Sequence, residues 1–330
     1  MNKIPGHTLP TFSDDSKEDA LFHYTTANGL IGIFQDGEIW STAYYCANDE
    51  SELAVGQGIL TPLFREESYR LREENDPRVE VFRQRGTDIL NFADKFEKHI
   101  SAIALNSLCA FITCFCKPRS KEDFHHGLLS QWRGYGSDGG YALQFSRNKL
   151  LRAIELATKT NKLNYDLQDV HYSSDNPLKE EVLAKKDAFV NAYMEHLDEM
   201  AKPLDELLKR TTMPNPIASL LNGPLEAFLN YLVQTKNKHF SEERECRLSL
   251  IQLVQPCDWN LPVKYFNRNG LIVPYTKTPK SSFNVLDCVE WIVIGPSSRL
   301  EAKMKSVAHL VKQFGQDIKI RPSHIPYTRL

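Results

Sequence analysis

The chain has 330 residues, 42% of them hydrophobic and 25% charged, an ordinary globular balance with enough length to bury a large core. Its formal net charge of −2 excludes a general nucleic-acid-coating protein, because no global positive field is present to draw in polyanions. No run approaches the roughly 20 apolar residues of a membrane span, and the polar start, with Pro5 and Pro10, lacks the apolar core of a signal peptide. The expectation is therefore a cytoplasmic protein.

In chain order, residues 1–19 read as a flexible arm. Leu21 to Thr25 forms a short strand, Ala27 to Phe34 a helix with Leu30, Ile31 and Phe34 on one face, and Asp36-Gly37 stops it. Glu38 to Thr42 is a second strand. The turn chemistry of Ala47 to Glu50 opens two helical stretches, near 50–75 and 78–104, separated by Asp76-Pro77. Leu108 to Cys116 suits a buried strand, followed by a charged loop from Lys117 to Asp123 and a helical turn from Leu128 to Trp132. After Gly134, Gly136, Gly139 and Gly140 come a strand at Tyr141 to Phe145, a helix at Lys149 to Thr158 and a strand within Leu163 to Tyr172. Residues 177–238 read as mainly helical. Strands follow near 244–254, 262–266, 270–275 and 287–294, then a helix from Arg299 to Phe314 and a strand at 317–321. Interleaved strands and helices favour a single α+β domain over residues 20–330, with large helical insertions at about 50–105 and 177–238.

The seven cysteines, Cys46, Cys109, Cys114, Cys116, Cys246, Cys257 and Cys288, are irregularly spaced. Cys114-x-Cys116 is not zinc-ribbon spacing and no second pair answers it, so buried reduced thiols and no metal are expected. The adjacent pair His125-His126 suits chelation poorly. P-loop, H-E-x-x-H and G-x-S-x-G motifs are absent.

Three segments concentrate chemistry. In Phe22-His23-Tyr24-Thr25-Thr26 a strand ends in imidazole and hydroxyl groups as a helix begins. A cap with a core histidine explains it, and so does a ligand site in which His23 donates to a ribose hydroxyl. In Glu243-Arg244-Glu245-Cys246-Arg247-Leu248, strand alternation sets Glu243, Glu245, Arg247 and Ser249 on one face, with the carboxylates about 7 Å apart, and Cys246, Leu248 and Leu250 on the other. Arg247 holds one carboxylate ionised, while a free Glu polarises a hydroxyl or stabilises an oxocarbenium-like centre. A solvated face of ordinary ion pairs is the plainer alternative. In Gln131-Trp132-Arg133-Gly134-Tyr135-Gly136 and Gly139-Gly140-Tyr141, aromatics between glycines line a pocket or fill the core; the pattern is no Rossmann fingerprint. Asn48-Asp49 caps a helix or, with Glu52, positions substrate. The proline-punctuated end holds Arg329, which either lies along the domain or meets a phosphate. Arg133, Arg147, Lys149 and Arg152 form a modest basic cluster, the feature that would serve a nucleic-acid partner.

In joint order these segments resemble a widespread bacterial family known as domain of unknown function 2971. The resemblance is carried by Phe22 to Thr26 with Gly29-Leu30-Ile31 and Asp36-Gly37, by Asn48 to Glu52 (Glu50 standing where the family has proline), by Trp132 to Tyr135, by Glu243-x-Glu245-x-Arg247, and by Ile294-Gly295-Pro296 and Ser323 to Tyr327. A weaker resemblance is to the opening of ADP-ribosyltransferase folds. It implies a mixed, mainly antiparallel sheet and NAD as substrate. It further implies His23, Tyr24, Thr25, Trp132, Tyr135 and Tyr141 as cofactor-binding residues, and Glu245, Glu243 and Arg247 as catalytic ones. The expected reaction is cleavage of the nicotinamide–ribose bond with transfer of ADP-ribose to a macromolecule, nucleic acid or protein, or to water, through a transition state like that of glycoside cleavage. The alternative expectation is a non-catalytic nucleotide-binding or regulatory module, as in bacterial defence or a toxin system.

Overall fold

The computed structural model describes residues 10–46, 65–91, 108–135, 140–161, 165–172, 224–253, 262–278 and 284–326, with a few single positions between them. The expected helix start at residues 47–50, Asn48 and Glu52, the glycines at 136 and 139, and Arg329 lie outside them.

Local chemistry explains where the elements begin and end. Part of the expected N-terminal arm is helical: α1 (Asp14–Asp19) is closed by a capping box in which Ser13 and Ser16 exchange hydrogen bonds. The strand β1 (Ala20–Thr25) runs into α2 (Ala27–Asp36), whose N-cap, Thr26, accepts from the Gly29 N–H. Gly37 ends α2 in the left-handed conformation at φ 68°, which an L side chain adopts at a cost. β2 (Trp40–Ala43) follows. Residues 65–73 are helical, and Asp76 caps α3 (Pro77–Gln84) with Pro77 in its first turn. The second helical stretch is interrupted after Gln84 by a turn through Gly86 and is helical again at residues 90, 91 and 94; the remainder of the expected span to residue 104 lies outside the described residues. β3 (Leu108–Cys116) occupies its expected residues. Half of the expected charged loop instead forms α4 (Lys121–His126), because Ser120 supplies an N-cap to Asp123.

Then come α5 (Leu129–Tyr135), β4 (Tyr141–Ser146), α6 (Arg147–Asn161), β5 (Tyr165–Asp169) and α7 (Pro224–Val233). The chain closes with β6 (Glu245–Leu253), the hairpin β7 (Lys264–Arg268) and β8 (Leu271–Lys277), β9 (Val289–Ile294), α8 (Leu300–Gln313) and β10 (Lys319–Pro322). The protein is α+β, and its ten described strands form one mixed sheet, antiparallel except for β9 with β10.

The sheet runs β10-β9-β4-β1-β3-β2-β8-β7, with β6 on β3 and β5 on β6. β6 pairs with β3 along its whole length, from Leu108–Leu253 to Cys116–Glu245. The other edge of β3 must therefore serve both β1, opposite Cys116, and β2, opposite Phe111 and Ile112. The sheet forks there, and near the fork His23 Nδ1 donates to the Cys114 carbonyl at 3.1 Å.

Side chains directly opposite in antiparallel strands share a face. One face carries Leu21, Phe115, Leu143, Phe145, Cys246, Leu248, Leu250 and Ile292, covered by Leu30, Ile33 and Phe34 of α2, Leu150 and Ile154 of α6 and Val307 and Val311 of α8. The second face carries Phe22, Tyr24, Cys116, Ala142 and Val293, packed with Phe124, Leu128 and Trp132. A smaller group, Tyr44, Ala110, Ile112 and Val233, continues it under α7.

Candidate functional site

The left-handed backbone of Arg244 (φ 42°) separates a 3-10 turn, Lys238–Glu243, from β6. Glu243 therefore precedes the strand, which corrects the expectation that it shares a strand face with Glu245. Within β6 the alternation holds, yet both faces are buried: Cys246, Leu248 and Leu250 in the larger core, Glu245, Arg247 and Ser249 on the second face.

That second face is an ionic cluster. Glu245 is 3% exposed and Arg247 1%. Arg247 donates through Nε to Glu245 Oε1 at 2.7 Å and through Nη2 to Oε2 at 3.2 Å. Its Nη1 donates to the Val233 carbonyl at 2.5 Å, at the last residue of α7. Lys236, just beyond that helix, joins the two carboxylates the sequence had singled out, reaching Glu243 Oε2 and Glu245 Oε2 at 2.9 Å each. The Tyr172 hydroxyl accepts the Glu245 N–H at 2.6 Å. Burial pushes the Glu245 carboxyl up, but the Arg247 and Lys236 cations outweigh it and hold it down at about 2. Such a carboxylate is always ionised near neutrality and is a weak proton acceptor. The neighbouring Cys114 and Cys116 thiols are pushed well up by burial, so they stay protonated. All five described free cysteines, Cys46, Cys114, Cys116, Cys246 and Cys288, are at least partly buried.

His23 and Glu245 do not meet. Phe22 lies opposite Cys116, and Cys116 opposite Glu245, so Phe22 and Tyr24 share the Glu245 face while His23 points to the other. There its ring tilts against Phe115 at 5.8 Å, and burial lowers its pKa, keeping it neutral. Thr25 and Tyr141, paired across β1 and β4, accompany it.

Tyr24 and Trp132 are brought together, edge to face at 4.8 Å, as core residues. The Leu128 N–H donates to the Tyr24 hydroxyl at 2.7 Å, and the fully buried Trp132 donates Nε1 to the His126 carbonyl at 2.9 Å. Neither ring face is open for stacking on a planar ligand. Gly127 makes this contact possible: a Cβ there would stand 2.8 Å from Trp132 and 2.9 Å from the Tyr24 hydroxyl. The Tyr135 side chain lies outside the described residues. Of the expected basic cluster, Arg147 pairs with Asp169 at 2.7 Å and Lys149 with Glu290 at 3.2 Å, so much of its charge is answered locally.

Sequence reasoning missed Lys236 and Tyr172, which lie far from β6 along the chain or beyond a helix end. It also missed Arg321, fully buried on β10 with its Nε on the His125 carbonyl at 2.8 Å and Nη2 on the Phe124 carbonyl at 2.7 Å and Gln144 Oε1 at 2.5 Å. Burial lowers its pKa to about 9. An arginine set between Ile320 and Pro322 in a short strand is the sequence sign of that burial.

Among the described residues, no group of three or more His, Cys, Asp or Glu is placed to hold a metal ion, and no helix is long and apolar enough to cross a membrane. A cavity of about 580 Å³ opens between α4, α5 and the segment after β10, lined by Arg119, His126, Ser130, Arg133, Glu242 and His324.

No curated protein and no solved structure matches the chain. Residues 131–248, from the α5 core tryptophan region to the Glu245–Arg247 strand, match the family model described as "Protein of unknown function (DUF2971)".

Proposed function

We propose that the protein is a nucleotide-binding or regulatory module that does not use Glu245 as a catalytic group. The observation that carries this reading is the commitment of that carboxylate. Its oxygens are taken by Arg247 and Lys236, it is 3% exposed, and it faces away from His23. ADP-ribosyl transfer needs a carboxylate that touches the ribose in the transition state, beside the groups that hold nicotinamide. The nucleotide part of the reading is supported by the strand-to-helix opening that resembles ADP-ribosyltransferase folds, and by a cavity within the roughly 300–1,000 Å³ of small-molecule sites.

The test is incubation of the purified protein with NAD, following both thermal shift and free nicotinamide, with and without bacterial RNA, DNA and protein. A rise in Tm with no nicotinamide above the protein-free rate is the expected result. Turnover that disappears in a folded Glu245→Gln variant would overturn it and establish the NAD-cleaving enzyme instead.

A further inference from the structure

The cavity between α4, α5 and the chain after β10 has a mixed lining that matches one kind of ligand better than others. Two guanidinium groups, Arg119 and Arg133, reach exposed positions beside it. Three carboxylates, Glu122, Asp123 and Glu242, stand with them, so the rim is not simply cationic. Asp123 accepts the Arg119 backbone N–H at 3.0 Å and the Arg119 Nε at 3.4 Å, a loose pair on the rim that a phosphate would compete with, while Glu122 points outward, 82% exposed, 3.7 Å from His126. The His126 and His324 rings meet edge to face at 5.2 Å.

Close to the wall sits the buried Arg321. It grips the carbonyl of His125, the neighbour of the lining residue His126, and it lies three residues before His324. Its hydrogen-bond partners are all neutral, and its Nη1 and the His125 Nδ1 are buried without a partner. A guanidinium in low dielectric with no carboxylate against it projects positive potential further than an exposed one.

We propose that this cavity takes a ribonucleoside diphosphate unit. The pyrophosphate lies against Arg119 and Arg133, which suit phosphate oxygens bidentately, with the Ser130 hydroxyl as a further donor. Glu242 accepts from the ribose hydroxyls. A bare anion would meet repulsion from the three carboxylates, whereas a ligand with an anionic end and a hydroxyl-rich end satisfies both sets. Arg321 is a positioning residue that fixes α4 against the final segment and biases the field. This inference rests on the nucleotide-binding reading above and gives that reading an address.

The experiment is calorimetric titration of ADP, ADP-ribose and inorganic pyrophosphate into the wild-type protein, Arg119→Ala/Arg133→Ala, Glu242→Gln, and Lys305→Ala on α8 as a surface control. The altered side chains lie on the cavity rim, and unchanged ligand-free Tm values establish that the variants fold. The expected result is at least tenfold weaker binding of ADP and ADP-ribose in the double arginine variant and no change in the control. Glu242→Gln should weaken ADP-ribose severalfold while leaving pyrophosphate unchanged or tighter. Undiminished ADP binding in the double variant overturns the site but keeps the nucleotide reading. Absence of ADP and ADP-ribose binding by the wild type overturns both.

Discussion

The two faces of β6 are equally buried and held by different physics. On one, Cys246, Leu248 and Leu250 interlock with hydrocarbon from β3, β5 and the helices, an attraction indifferent to direction and tolerant of small shifts. On the other, Glu245 and Arg247 meet at 2.7 Å, with Lys236 and the end of α7 locked to them through directed bonds. The first face supplies cohesion. The second fixes where one helix ends, because a single displaced partner strands a charge away from water.

Arg247→Ala puts the greatest strain on this contrast. It leaves Glu245 with Lys236 alone in a dry site and should lower stability by about 3–5 kcal/mol in urea denaturation. Replacing both charges, Arg247→Met with Glu245→Leu, should cost clearly less than the single change. If the single variant unfolds at the wild-type midpoint, the ionic face is ornamental and the contrast collapses. Leu248→Ala probes the opposite face, where the lost contacts and the cavity left behind should cost about 3 kcal/mol. A neutral outcome would mean that this side of the sheet repacks freely.

The mildest perturbation is a proton. The folded Glu245 pKa is depressed to about 2 from an ordinary value near 4.5. Its stabilising contribution is therefore complete above the unfolded value and fades as pH falls from there through about 2. Denaturation midpoints measured at pH 7, 4 and 3 should fall more for the wild type than for the doubly uncharged variant. Parallel curves would show that the carboxylate has no special partner.

The elements written in local code were legible in the sequence. Thr26 as cap and Gly37 as stop define α2, the apolar run Leu108–Cys116 is β3 end for end, and Asp76-Pro77 opens a helix where expected. Short-range errors came from turn chemistry: Ser13 and Ser120 cap helices inside segments read as arm and loop, and the positive φ of Arg244 detaches Glu243 from its strand. At the candidate site the strand alternation was legible: His23 and Tyr24 are neighbours in a strand, so their side chains leave opposite faces. The approach of Lys236 and Tyr172 to Glu245 was not, because it depends on how α7 and the chain after β5 cross β6, and no spacing encodes that crossing.

The fork in β3 has a mechanical consequence. The leaf formed by β10, β9, β4 and β1 and the leaf formed by β2, β8 and β7 share no ladder with each other among the described strands; each is hinged to the β3–β6 spine by one or two residue pairs. A sheet built this way bends along the spine more easily than across it, as a book opens at its binding. The His23 imidazole on β1, bonded to the Cys114 carbonyl of β3, is a side-chain stitch that holds the first leaf to the spine beside its single residue pair.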